Sequence, residues 1–132
     1  MEVNMKRIWK PIPGYEDEYI VSDYGEIIGL SKFDSRGHLR KTRVKRFTKN
    51  KSGYLVVGLH KNGTEKKFLV HRIVAETFID NPENLKEVNH KDECKTNNAV
   101  TNLEWCSHKY NVNYGNCQTN RIKSRYGGIQ NA

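Results

Sequence analysis

Long apolar runs are missing from this sequence, and their absence removes several classes of protein at once. No stretch approaches the ~20 consecutive apolar residues that a bilayer-crossing helix needs. The opening residues, MEVNMKRIWK, lack the apolar core of a secretory leader. Cysteine is scarce. There are three, an odd number, and no Cys-X-X-Cys pair, which argues against a disulfide scaffold and against a four-cysteine zinc site. Cys94, Cys106 and Cys117 read as free thiols, and a reduced, cytoplasmic setting is the expectation. Low-complexity tracts and internal repeats are absent as well. Acid is in deficit: 23 Lys and Arg stand against 15 Asp and Glu, a formal net charge of +8. A surplus of that size calls for a polyanionic partner. No basic amphipathic helix is long enough to lie on lipid, so nucleic acid comes before a membrane surface. An RNA reader would be expected to show an aromatic stacking motif, and none is found.

What is present suits one compact domain with a small appendage: 132 residues, 36% hydrophobic, mean hydropathy −0.84. Residues 19–21 and 27–28 read as two short strands joined through residues 22–25, where Ser, Asp and Gly make a turn. Residues 36–51 hold eight Lys or Arg and no acid. Their alternation around Arg43, Lys45 and Phe47 is strand-like, with one strongly positive face. Such a run is ordinarily a solvated face, but here the overall surplus favours DNA contact through Arg36, Arg40, Arg43, Lys45 and Lys49. Residues 54–60 are rich in β formers, Asn62-Gly63 is a hairpin turn, and residues 66–70 return. The period then changes: Val74 and Ala75 with Phe78 and Ile79 mark a short helix over 71–79, stopped before Asn81-Pro82. His71 opens that helix as a packing or capping residue. His38 and His60 read as surface residues, and Trp9 and Trp105 as core.

The stretch VNHKDECKTNNAVTNLEW, residues 88–105, carries asparagine at 89, 97, 98 and 102. Asparagine forms helices and strands poorly but holds tight loops through hydrogen bonds to nearby backbone. The layout is strand (88–90), loop, strand (102–106), then a helix capped by Ser107 that runs through Asn111 to Gly115. Asn89, His90 and Asn111, distant in sequence, are expected to converge on one small space. His108, early in the last helix, is a weaker candidate base. A zinc site from Cys94, Cys106, His90 and His108 fits no common spacing.

The stretch VHRIVAETFIDNPENLKEVNHKDECKTNNAVTNLEWCSHKYNV resembles an HNH endonuclease of the phage and intron-homing kind. Upstream, IWKPIPGYEDEYIVSDYGEI resembles the small module that often precedes such nucleases. The resemblance implies an α+β fold. A small N-terminal antiparallel β module with a basic segment would span residues 1–52, a hairpin, short helix and ββα-metal nuclease unit residues 53–115, and a basic tail residues 116–132. It implies that His90 is the general base, that Asn89 and Asn111 hold one divalent metal ion, with Mg²⁺ expected and Mn²⁺ the alternative, and that Asn102 and Asp92 brace the loop. Three positions depart from the common pattern. Asn89 stands where Asp is frequent, and Glu93-Cys94 where Gly-Asn is frequent. With no carboxylate at position 89, metal binding is expected to lean on substrate phosphates.

The chemistry fits these residue types on its own terms. A histidine of ordinary pKa ~6.5 deprotonates water near neutral pH, and one cation stabilises charge on a phosphate in transfer. The expectation is a metal-dependent endonuclease acting on double-stranded DNA in the cytoplasm of a host cell, monomeric and nicking one strand. The alternative is a DNA-binding module of the same ancestry that does not cut. Relatives of this kind often carry a further C-terminal DNA-binding domain. This chain stops soon after the nuclease unit, so low site specificity is expected.

Overall fold

A computed structural model describes residues 7–108. Asn111, Cys117, the body of the expected last helix and the basic tail lie outside the described residues. The chain opens with β1 (Trp9–Pro11), β2 (Tyr19–Ser22) and β3 (Ile27–Gly29), paired antiparallel in that order. A small hairpin of β4 (Lys32–Phe33) and β5 (Leu39–Arg40) then leaves the sheet, and β6 (Arg43–Val44) returns to pair with β3. Gly29 faces Arg43 across this pair, and the Arg43 guanidinium folds over the space its missing side chain leaves. A Cβ there would meet the Arg43 guanidinium at 2.7 Å.

A second sheet holds β7 (Thr48–Lys49), β8 (Leu55–Lys61) and β9 (Thr64–Leu69). Asn62 and Gly63 join the two long strands with φ of 53° and 77°, the paired positive values that a two-residue hairpin loop needs to match strand twist. The helix α1 (Val70–Phe78) starts at the next residue, with no side-chain cap. It buries Val70, His71, Ile73, Val74 and Ala75, an apolar stripe at helical spacing interrupted by one imidazole. Beyond it, Asn81 turns the chain: its amide donates to the Leu85 carbonyl at 2.9 Å and accepts from the Leu85 amide at 2.8 Å. A last hairpin follows, β10 (Glu87–His90) with β11 (Leu103–Cys106). Among the described residues the architecture is thus mostly antiparallel strand around one helix, in accord with the expected α+β class.

One core joins these pieces. Tyr19, Val21 and Ile27 of the first sheet meet Val57 and Leu59 of β8, Val70 and Val74 of the helix, and Val88 and Leu103 of the last hairpin. Tyr19 is fully buried and its hydroxyl accepts the His60 amide at 2.9 Å, tying the first sheet to β8. Trp105 donates from Nε1 to the Ile79 carbonyl at 3.0 Å, fixing β11 under the end of α1.

Four expectations shift. The basic run is not one strand. Residues 36–51 are divided among β5, β6 and β7, because the chain leaves one sheet and enters the next there. Val70 opens the helix rather than ending β9. Asn102 closes a short 3-10 turn (Val100–Asn102) instead of opening β11. Trp9 is only half-buried, since β1 is an edge strand.

His71 is 6% exposed, and its Nδ1 has no hydrogen-bond partner among the described residues. Burial first, then the neighbouring His90 and Arg72, push its pKa from 6.5 down to about 4. An unfolded chain would carry a normal imidazole, so between those two values the unfolded state binds more protons. Stability is therefore fully present above pH 6.5 and is lost as pH falls toward 4. The pKa gap corresponds to about 3 kcal/mol for this one residue. Urea unfolding at a series of pH values should show that loss, and His71→Leu should flatten it. An equal slope in the variant would assign the acid sensitivity to other groups.

Candidate active site

The loop between β10 and β11 is built around one carboxamide. Asn102 is buried, and its Oδ1 accepts the Asp92 amide at 3.0 Å. Its Nδ2 donates to Asp92 Oδ1 at 2.9 Å and to the Asn97 carbonyl at 2.9 Å, and its own carbonyl accepts from the Lys91 amide at 2.7 Å. Asp92 also accepts the Cys94 amide at 2.8 Å and, through Oδ2, the Asn97 side chain at 2.8 Å. These bonds to its charged form, the Asn97 bond foremost, hold the Asp92 carboxyl below the usual range. The loop passes through Glu93 at φ 63°, the left-handed region that glycine enters most easily. This is one of the two positions where the sequence departs from the Gly-Asn of similar nucleases.

His90 ends β10 and is 5% exposed. Its Nε2 lies 2.7 Å from Asn98 Oδ1. The Tyr54 ring stacks on it with centroids 5.8 Å apart, and the His71 ring meets it edge-on at 4.9 Å. Burial pulls the His90 pKa below 6.5, while the Asn98 hydrogen bond and the Asp92 charge pull it back up and Lys95 adds to the lowering. Burial leads, so the neutral, proton-accepting form is favoured. Lys95 lies over the Tyr54 ring at 4.9 Å and donates to the Ser52 carbonyl at 2.8 Å, closing the loop against the segment before β8.

Asn89 leaves the other face of β10, as adjacent strand residues do. It is buried and pairs across the hairpin with Glu104. Its Nδ2 donates to Glu104 Oε2 at 2.9 Å. Asn89 and His90 thus sit side by side on the chain but engage different neighbours. Asn111, expected beside them, lies outside the described residues. His108 is exposed and its Nδ1 is 2.7 Å from Glu87 Oε2. Among the described residues no group of three His, Cys, Asp or Glu is placed to hold a metal ion. Cys106 is buried, its thiol pushed up to about 11 by that burial, and Cys94 is exposed; both are free.

A basic groove of about 370 Å³ opens where the first sheet meets β8 and β9. Arg40, Arg43 and Lys45 line it, together with Lys32 and Lys61. Arg43 and Lys45 both lie over the Tyr19 ring, at 5.8 and 5.7 Å. Arg36 and Lys49 are exposed but are not part of this groove. Sequence reasoning missed Lys32 and Lys61, which come from separate segments. It also missed Glu104, Tyr54 and Asn98. Only the doubled Asn97-Asn98 hinted at the last of these.

A family model described as the NUMOD4 motif matches residues 8–60. The chain is 41% identical over 104 residues to DNA endonuclease I-HmuI of Bacillus phage SP01, covering 79% of this chain and 55% of that protein. It is 41% identical over 106 residues to HNH endonuclease L245 of Acanthamoeba polyphaga mimivirus, covering 80% of this chain and 29% of that one. It is 31% identical over 97 residues to H-N-H endonuclease F-TflII of Escherichia phage T5, covering 72% and 45%. A solved structure of the HNH homing endonuclease I-HmuI, described as showing DNA binding and cleavage, superposes with a TM-score of 0.67 at 37% identity. It covers 93% of this chain and 61% of that one. The chain therefore spans about half or less of the curated relatives it matches. Matched in sequence along most of its length and in fold over 93% of it, the chain is similar to HNH homing endonucleases, with a NUMOD4 motif on its N-terminal side.

Proposed function

We propose that this protein is a metal-dependent DNA endonuclease that hydrolyses phosphodiester bonds with His90 as the general base. The observation that carries the reading is the placement of His90. It is a buried imidazole kept neutral by its surroundings, at the mouth of a loop locked by the Asn102–Asp92 hydrogen bonds. A neutral imidazole takes a proton from water near pH 7, and a fixed ring spends no reorganisation at the moment of reaction. The domain division belongs to the same reading. Residues 1–52 grip DNA, residues 53–115 cut it, and residues 116–132 add basic charge. The enzyme acts as a monomer on double-stranded DNA in the host cytoplasm and nicks one strand.

Asn89 and Asn111 would hold one divalent ion, Mg²⁺ first and Mn²⁺ next. The oxygen donor set suits a hard cation. Glu104 supports that role from behind: its carboxylate accepts a hydrogen bond from Asn89 Nδ2 and supplies the negative charge that an amide lacks. That leaves Asn89 Oδ1 as the amide atom for a cation. When bound, the ion would stabilise charge on the phosphate and on the leaving 3′ oxygen. Meanwhile Arg40, Arg43 and Lys45, seated on or beside Tyr19, hold the DNA backbone without reading bases, with Arg36 and Lys49 flanking them.

His90→Ala should slow nicking of supercoiled plasmid by ~10²–10⁴-fold while binding stays near wild type. Open-circular DNA should accumulate before linear DNA in the wild type. Cleavage by the variant within a few-fold of wild type removes His90 as the base, and early linear product removes the monomer. Replacing Arg40, Arg43 and Lys45 together should weaken binding to all sequences alike and reduce the slope of log K against log salt by about 0.9 for each phosphate no longer neutralised. An unchanged slope would place the groove off the DNA. Asn89→Asp sets a carboxylate against Glu104 and removes the donor between them. In EDTA it should lose about 1–3 kcal/mol of stability, and Mg²⁺ should restore melting temperature more in the variant than in wild type. Equal Mg²⁺ effects on both proteins would take position 89 out of the metal site.

A further inference from the structure

Asn98 sits outside the residues that the family resemblance assigns, yet its side chain is hydrogen-bonded to the His90 ring. It is 4% exposed in a loop whose neighbours at 95–97 are exposed. Its Oδ1 lies 2.7 Å from His90 Nε2. A carbonyl oxygen only accepts, so Nε2 must carry the proton and Nδ1 is left with its lone pair.

Asn98 is itself held from the far end of the chain. Gly25, in the turn between β2 and β3, has φ +90° and packs directly on it. A Cβ at Gly25 would stand 2.9 Å from Asn98 Cβ and 3.0 Å from the Asn98 carbonyl oxygen. Two residues on, the Val100 amide donates to the Asp23 carbonyl at 2.8 Å. The turn that makes these contacts is stiff. Ser22 is fully buried, and its hydroxyl accepts the Tyr24 and Glu26 amides at 3.1 Å each, while the Gly25 amide donates to the Ser22 carbonyl at 3.0 Å. Asp23 is anchored in turn to Ile8 by a backbone bond of 3.0 Å and by its carboxylate at 3.1 Å.

We infer that Asn98 is a positioning residue that fixes the tautomer and orientation of His90, and that the β2–β3 turn clamps Asn98 through Gly25 and the Asp23 carbonyl. The N-terminal module is then part of the frame of the cutting site as well as a grip on DNA. The inference rests on the reading of His90 as the base.

The test uses the full chain and five variants, one of them double. In the wild type, ¹⁵N-resolved NMR of the histidine rings at about pH 8, above the ordinary imidazole pKa, should show His90 protonated on Nε2. Asn98→Ala should lose that signature and slow single-turnover nicking by ~10–100-fold, the usual cost of removing an orienting partner, with DNA affinity unchanged. Asn98→Asp keeps an oxygen acceptor and should retain the Nε2–H signature and most of the rate. Gly25→Ala should slow cleavage without weakening binding. Combined with Asn98→Ala it should add little, because both substitutions act through the same pair of residues. A wild-type tautomer and rate in Asn98→Ala would overturn the positioning role. Fully additive effects in the double variant would overturn the clamp. His90→Ala at wild-type rate, with the tautomer still altered in Asn98→Ala, would overturn the base assignment while leaving the orientation of the ring intact.

Discussion

The Asn102 carboxamide is the group on which the His90 loop depends. The loop must leave β10, pass a residue at positive φ, and return to β11 in register, all within about a dozen residues. Nothing apolar is available to hold it, since residues 91, 92 and 94–97 are half-buried at most and largely exposed. Asn102 answers with both ends of its amide. It accepts from the backbone on one side and donates to a carboxylate and a carbonyl on the other. Because the group is buried, removing it would strand several polar partners, which costs more than the net worth of any single bond. Ser and Thr offer one donor where two are used here, and an ionised Asp offers none.

From that fixed loop the rest follows outward. His90 faces an aromatic wall made by Tyr54 and His71, and it is burial that keeps its ring neutral. His71 is held neutral by the same means, so two imidazoles share one small space without mutual repulsion. The cost is a His71 Nδ1 left unpaired among the described residues, an arrangement that a simple packing role would fill better with an apolar residue. Lys32, Arg40, Arg43, Lys45 and Lys61 gather in the groove beside Tyr19, while Lys95 lies over the Tyr54 ring of the wall itself.

Much of this is legible in the sequence, and particular residues explain why. The Asn62-Gly63 hairpin, the helix after residue 70 and the hairpin holding His90 all announce themselves by local chemistry: positive φ demands, helical spacing, alternation. The basic run is legible as charge but not as shape. Residues 36–51 belong to three strands in separate sheets, and sheet partnership is a long-range choice that no local period encodes. Asn98 is barely marked in the sequence for a related reason. An asparagine in an asparagine-rich loop looks like every other, and what singles it out is Gly25, far earlier in the chain. Glu104 reads only as part of a strand, although its register opposite Asn89 is what gives it a role.

That register bears on why asparagine stands at position 89 at all. An aspartate there would face the Glu104 carboxylate directly across an antiparallel pair, and two like charges on one face of a hairpin destabilise it. Asparagine turns the repulsion into a hydrogen bond and leaves one carboxylate where two would crowd. The negative charge expected at position 89 is therefore carried instead on the neighbouring strand, about one side chain's reach away. Oriented by Glu104, the Asn89 amide keeps its oxygen out of that bond. Its direction is set by the hairpin pairing itself, so the same backbone ladder that closes β10 on β11 also aims the Asn89 amide.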